Sequence, residues 1–132
     1  MTLPAPAARK LAHTRQVTYH GYQREDGLWD IEAHMRDTKP FAFEVPGEIQ
    51  WGPNEPIHDM QIRLTVDPAF LIRDVAVSMN HIPHEECPKA QPPMQQLVGC
   101  RLSSGWRRAI DERLGGSVGC THLRELLFNL SL

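Results

Sequence analysis

Four side chains in this sequence are the best equipped for chemistry: His58, Cys87, Cys120 and His122. Thiolate sulfur and imidazole nitrogen are favoured ligands of zinc and also suit iron, and four of them would close a tetrahedral site. Cys120 and His122 form a Cys-x-His pair able to bind one ion together. Cys87 and His58 stand far upstream, and no second short-spaced pair completes the set. The structural alternative makes Cys87 and Cys100 small apolar residues and His58 a hydrogen-bonded edge histidine.

The stretch Gly119 to Leu126, "GCTHLREL", supports a second reading that needs no metal. The first N–H groups of a helix lack internal partners and carry the positive end of its dipole, so a helix start attracts carboxylate or phosphate. A cysteine placed there is acidified, which would make Cys120 a nucleophile beside His122 as its proton-transfer partner. Gly115-Gly116 and Gly119 would let backbone approach a ligand closely. The competing account reads Gly-Gly as a helix stop, Thr121 as a cap and Cys120 as packing.

Two weaker constellations lie upstream. Asp30, Glu32 and His34, with Tyr19 across from them, would form a polar sheet face offering general acid–base groups. An open face towards water accounts for the same residues. His58-Asp59-Met60 follows a proline-rich loop, and alternation aims His58 inward, beside the aromatic Trp51. A core histidine bonded to backbone fits equally.

The elements that would position these groups follow from turn chemistry and periodicity. Asp26-Gly27 signals a two-residue hairpin, since a type I′ turn needs positive φ at both central positions. Pairing outward from it sets Arg24 opposite Trp29 as a cation–π pair, then Tyr22 opposite Ile31, His20 opposite Ala33 and Thr18 opposite Met35. Trp29, Ile31, Ala33 and Met35 form the expected buried face. Residues 40–56 hold four prolines with Phe41, Phe43 and Trp51, which predicts a flap over a cavity or a wrap on the core. His58, Met60, Ile62, Leu64 and Val66 alternate onto one face of a strand; Asp67-Pro68 turns the chain into another through Val75, Val77 and Met79. A proline-rich connection carries His84 and Cys87, and a short helical segment follows with Met94, Leu97 and Val98, ended by Gly99. Ser103 or Ser104 would cap a helix through Trp106, Ala109, Ile110 and Leu114, stopped by Gly115-Gly116. Thr121 caps the last, with Leu123, Leu126, Leu127 and Leu130 inward. Strand signals first and helical signals last predict an α+β domain: an antiparallel sheet of at least four strands with C-terminal helices on one face. Residues 1–12 read as a flexible arm and 13–132 as one domain.

Composition restricts the partners. The chain has 132 residues, a formal charge of −2 and 23% charged residues, so no strong field draws nucleic acid or an anionic membrane. The Pro/Ala-rich start has no apolar core of a secretory signal, and no stretch matches a membrane span. Three cysteines without an export signal predict free thiols or metal ligands in a cytoplasmic protein.

The segments "DGLWDIEAHMRDTK", "HDMQIRLTVDPAFLIRDV", the isolated Cys87 and "GWRRAIDERLGGSVGCTHLREL" together resemble a bacterial family, domain of unknown function 2889. The resemblance spans most of residues 13 to 130. It implies that His58, Cys87, Cys120 and His122 belong to the family's signature, and it assigns no activity. The reading that follows is a small cytoplasmic enzyme acting on a small organic acid or thioester. Cys120, His122 and His58 would be its catalytic groups, and zinc or iron would be held by His58, Cys87, Cys120 and His122 if a metal takes part. Its partner would be a small-molecule substrate, with homo-oligomer formation left open. The rival is a non-catalytic metal-binding or interaction protein whose Cys/His cluster is structural; a third reading is an accessory subunit docking a partner through the aromatic loop 41 to 51.

Overall fold

The computed structural model describes residues 2–47, 50–81, 92–103, 105–115 and 121–130. His84, Cys87, Ser104, Gly116, Gly119 and Cys120 therefore lie outside the described residues.

A four-stranded antiparallel sheet runs in the order β1 (Thr14–Gln23), β2 (Trp29–Thr38), β5 (His58–Val66), β6 (Ile72–His81). Between β2 and β5, the proline-rich loop folds into a small ribbon, β3 (Phe43–Glu44) with β4 (Gln50–Trp51). After β6 come a 3-10 helix (Pro92–Leu97) and two α-helices, α1 (Trp106–Leu114) and α2 (Thr121–Phe128). The α+β architecture is as the sequence pattern predicts. Among the described residues, no helix is long and apolar enough to cross a membrane.

Period-two alternation builds the sheet's inner face. Ile31, Ala33 and Met35 of β2 and Met60, Ile62 and Leu64 of β5 are buried, as is Val75 of β6. The helices cover that face with Trp106, Ile110, Leu114, Leu123, Leu126 and Leu127, and the 3-10 helix adds Met94 and Leu97. The indole N–H of Trp106 donates to the Leu127 carbonyl at 2.7 Å, so the two helices share a polar clasp inside an apolar cluster.

The first hairpin departs from expectation by one residue. Gly27, at φ +87°, donates its N–H to the Arg24 carbonyl at 3.2 Å, and Arg24 N–H meets the Leu28 carbonyl at 2.9 Å. The turn is thus centred on Glu25-Asp26 with a left-handed Gly27 after it, a longer connection than a two-residue type I′ turn. Pairing becomes Gln23 with Trp29, Gly21 with Ile31, Tyr19 with Ala33, Val17 with Met35 and Arg15 with Asp37. One residue of slip exchanges the faces of β1. Tyr19 therefore belongs to the inner face rather than the polar one, and its hydroxyl donates to the Leu126 carbonyl at 3.2 Å. Arg24 binds Asp26 at 2.7 Å and Asp30 at 3.3 Å instead of covering Trp29, and Trp29 is 41% exposed.

Other local expectations divide. The second strand pair has the predicted faces, with Asp67 organising the turn by accepting the Ala69 and Leu71 N–H groups. Helix α1 is capped by backbone alone: Gly105, at φ +87°, occupies the cap position, and Ser103 contributes its carbonyl to Trp106 N–H. Gly115 ends it as predicted, donating to the Asp111 carbonyl at 3.1 Å. Helix α2 begins at Thr121, whose hydroxyl accepts Arg124 at 3.4 Å. Trp51 is buried, and its ring stacks on Phe43 with centroids 4.7 Å apart.

Candidate functional site

Three strands bring three polar side chains into one row on the inner face. Arg15 of β1 pairs with Asp37 of β2, and Asp37 pairs with His58 of β5. Directly paired residues on one face have Cβ atoms about 5 Å apart, so their side chains meet. Asp37 is fully buried, at 0% exposure. It accepts Arg15 Nε at 2.7 Å and Nη2 at 2.8 Å, the bidentate fork that a guanidinium matches to a carboxylate. His13 Nε2 adds a contact at 3.2 Å and His58 Nδ1 one at 2.7 Å. Ile57 N–H also binds the Asp37 backbone carbonyl, tying the end of the proline-rich loop to this point.

The last helix closes the row. The His122 ring, in the first turn of α2, lies 4.3 Å from the His58 ring centre to centre. Its Nε2 is 3.4 Å from Arg15 Nη2. The sequence-based candidates His58 and His122 are thus brought together, while Cys87 and Cys120 lie outside the described residues. Cys100 is buried with its thiol 3.9 Å from the Gln96 carbonyl, away from this row.

Electrostatics fix the protonation pattern. Burial alone would raise the Asp37 pKa, but hydrogen bonds from Arg15 and His13 and the Arg15 charge outweigh it, holding the carboxyl well below the usual range. The same pairing raises the Arg15 pKa. Burial, helped by the neighbouring His122, lowers the His58 pKa against the opposite pull of Asp37. His58 is therefore neutral near pH 7. Ionised Asp37 can only accept, so His58 Nδ1 carries the proton and Nε2 keeps its lone pair. Arg15 can only donate, so His122 Nε2 is the acceptor at this 3.4 Å contact.

The remaining candidates resolve differently. Asp30, Glu32 and His34 lie on the outer polar face without Tyr19: His34 Nε2 contacts Asp59 at 2.6 Å and Asp30 accepts Thr65 at 2.7 Å. The aromatic ribbon packs on itself through Phe43 and Trp51, and the ring against His58 is that of His122. Sequence reasoning missed Asp37, Arg15 and His13. Asp37 continues the inward phase of Ile31, Ala33 and Met35, and a carboxylate at a core position demands a cation. That was the available signal.

Among the described residues, no three His, Cys, Asp or Glu side chains are grouped to hold a metal ion. His58 and His122 would be two ligands needing others to complete a site. No curated protein and no solved structure matches the chain significantly. The sequence profile of the family described as "protein of unknown function (DUF2889)" matches residues 13–132, nearly the whole length, and the protein belongs to that family.

Proposed function

We propose that the protein is a small cytoplasmic enzyme performing proton transfer on a small organic acid or its thioester. The observation that carries this reading is the pair of imidazoles 4.3 Å apart, His58 held through Nδ1 by the buried Asp37 and His122 beside Arg15. His58 acts as the base, oriented by Asp37, and removes a proton from the carbon next to the carboxylate or thioester carbonyl. His122 donates a hydrogen bond to the oxygen on which charge develops, and the proton taken up by His58 exchanges with solvent before one returns to the carbon. Arg15 spends Nε and Nη2 on protein partners and is 41% exposed at its side chain, which leaves Nη1 for a substrate carboxylate. Cys120, two positions before His122, is the nucleophile candidate retained from the sequence.

The test is hydrogen–deuterium exchange at the α-carbon, followed by proton NMR in D2O. The substrates are a panel of two- to five-carbon acids and their N-acetylcysteamine thioesters. Exchange above the buffer rate is expected for at least one member, falling about 100-fold or more in His58→Gln and in His122→Gln at a temperature where circular dichroism shows both variants folded. No exchange anywhere in the panel, or exchange unchanged in both variants, overturns the reading.

A metal-binding role is the second reading, and the Asp37–His58 contact favours it. A carboxylate holding one imidazole nitrogen while the other faces a ligand is the usual support of a metal-bound histidine. Zinc or iron would then sit on His58 and His122, with Cys120 and Cys87 as the sequence-based partners. Elemental analysis decides: below about 0.1 equivalent per chain, the metal reading fails.

A further inference from the structure

At the far end of the sheet from Asp37, about 25 Å along β2, the inner face opens into an apolar cleft. Its volume is ≈ 350 Å³, and its lining includes Gly21, Trp29, Ile31, Val66, Phe70 and Leu102. Small-molecule sites begin at about this size. Three separate features create it. Gly21 stands on the inner face opposite Ile31, where a side chain would otherwise cover the sheet. Trp29 is in the inward phase of β2 yet 41% exposed. Phe70 has φ 65°, a left-handed backbone that a bulky residue adopts only with strain.

The Phe70 conformation is enforced from both sides. Asp67 holds the turn through Ala69 and Leu71, and the Phe70 carbonyl accepts Leu102 N–H at 2.8 Å. Glycine or asparagine would satisfy that backbone more easily. The ring is 55% exposed and does not join the core formed by the described residues, so packing among them does not offset the strain.

We propose that this cleft is a binding site for a neutral, single-ring aromatic or equally compact apolar group, gripped between Trp29 and Phe70. The chemistry of the lining excludes an anion. Among the described lining residues the one charged group is Asp67, whose two carboxylate oxygens are taken by Ala69, Leu71 and Arg73. The site is separate from the Asp37 row and does not depend on the proposed proton transfer.

Toluene is the probe, titrated into 15N-labelled protein. Saturable shifts are expected at the amides of Gly21, Ile31, Val66 and Leu102, with benzoate binding about tenfold more weakly. Phe70→Gly removes one wall and the strain together; the expected result is about fivefold weaker toluene binding with a melting temperature equal to or above wild type. A ring serving only the fold would lower stability when removed and leave binding intact. Gly21→Val fills the floor and abolishes the shifts, and His58→Gln leaves them unchanged. Absence of saturable shifts, shifts spread through the core, undiminished binding by Phe70→Gly, or closure of the cleft by self-association without ligand would each overturn the proposal.

Discussion

The two faces of the β2–β5 strand pair each carry an aspartate–histidine contact of almost equal length: Asp37 with His58 at 2.7 Å inside, and Asp59 with His34 at 2.6 Å outside. Distance does not distinguish them; surroundings do. The inner carboxylate is wholly buried and also holds Arg15 and His13, and its imidazole adjoins a second one. The outer histidine is 41% exposed at its side chain, and water supplies whatever its neighbours do not. The same pair of residue types is a structural commitment on one face and a surface contact on the other.

Substitutions should separate the two strongly. The largest effect is expected for Arg15→Leu, which leaves the Asp37 carboxylate buried beside too little positive charge. Removing a partner of a buried charge costs about 3 kcal/mol here, the low end for a buried pair because the Arg15 side chain is itself 41% exposed, read from urea unfolding. Next is His58→Gln, at about 1–3 kcal/mol for a buried hydrogen-bond partner to a charged group. A smaller effect concerns pH. Both Asp37 and His58 have lowered pKa values in the folded chain, so the folded state binds fewer protons and stability falls on acidification. The His58 part is complete above the ordinary imidazole value of 6.5 and is lost as pH falls through its lowered folded value. The Asp37 part begins to be lost only below 3.8. Melting curves between pH 7 and 5 should therefore slope in wild type and in His34→Gln, and flatten in His58→Gln. Smallest of all, Asp59→Asn should change stability by less than about 1 kcal/mol, as exposed ion pairs do. An outer substitution matching Arg15→Leu would erase the distinction between the faces.

Much of this arrangement was legible in the residues themselves. Alternation through Ile31, Ala33 and Met35 and from His58 to Val66 gave the inner face, and the leucines of α2 gave the covering helix. The register of β1 was not legible, because Asp-Gly fits a two-residue turn as well as it fits the longer one with a left-handed Gly27. That single residue decides whether Arg15 or its neighbours face Asp37. The meeting of His58 with His122 was hidden for another reason: spacing reports neighbours along one element, and this contact is made between a strand and a helix far apart in sequence. Cys120 and His122 were conspicuous because only Thr121 separates them, whereas Asp37 was inconspicuous because it ended a pattern of apolar residues.

The contact between Arg15 and His122 spans 107 positions, as does that between Tyr19 and Leu126. Synthesis proceeds from the first residue, so Asp37, Arg15 and His58 are all made long before their fourth partner exists. Closing so long a loop is entropically costly, and contacts of this kind slow folding. The row on the sheet can form early, but it acquires the His122 imidazole only when synthesis has passed the start of α2. A chain that ends or is clipped before His122 consequently lacks that neighbour of His58 even if its sheet is sound.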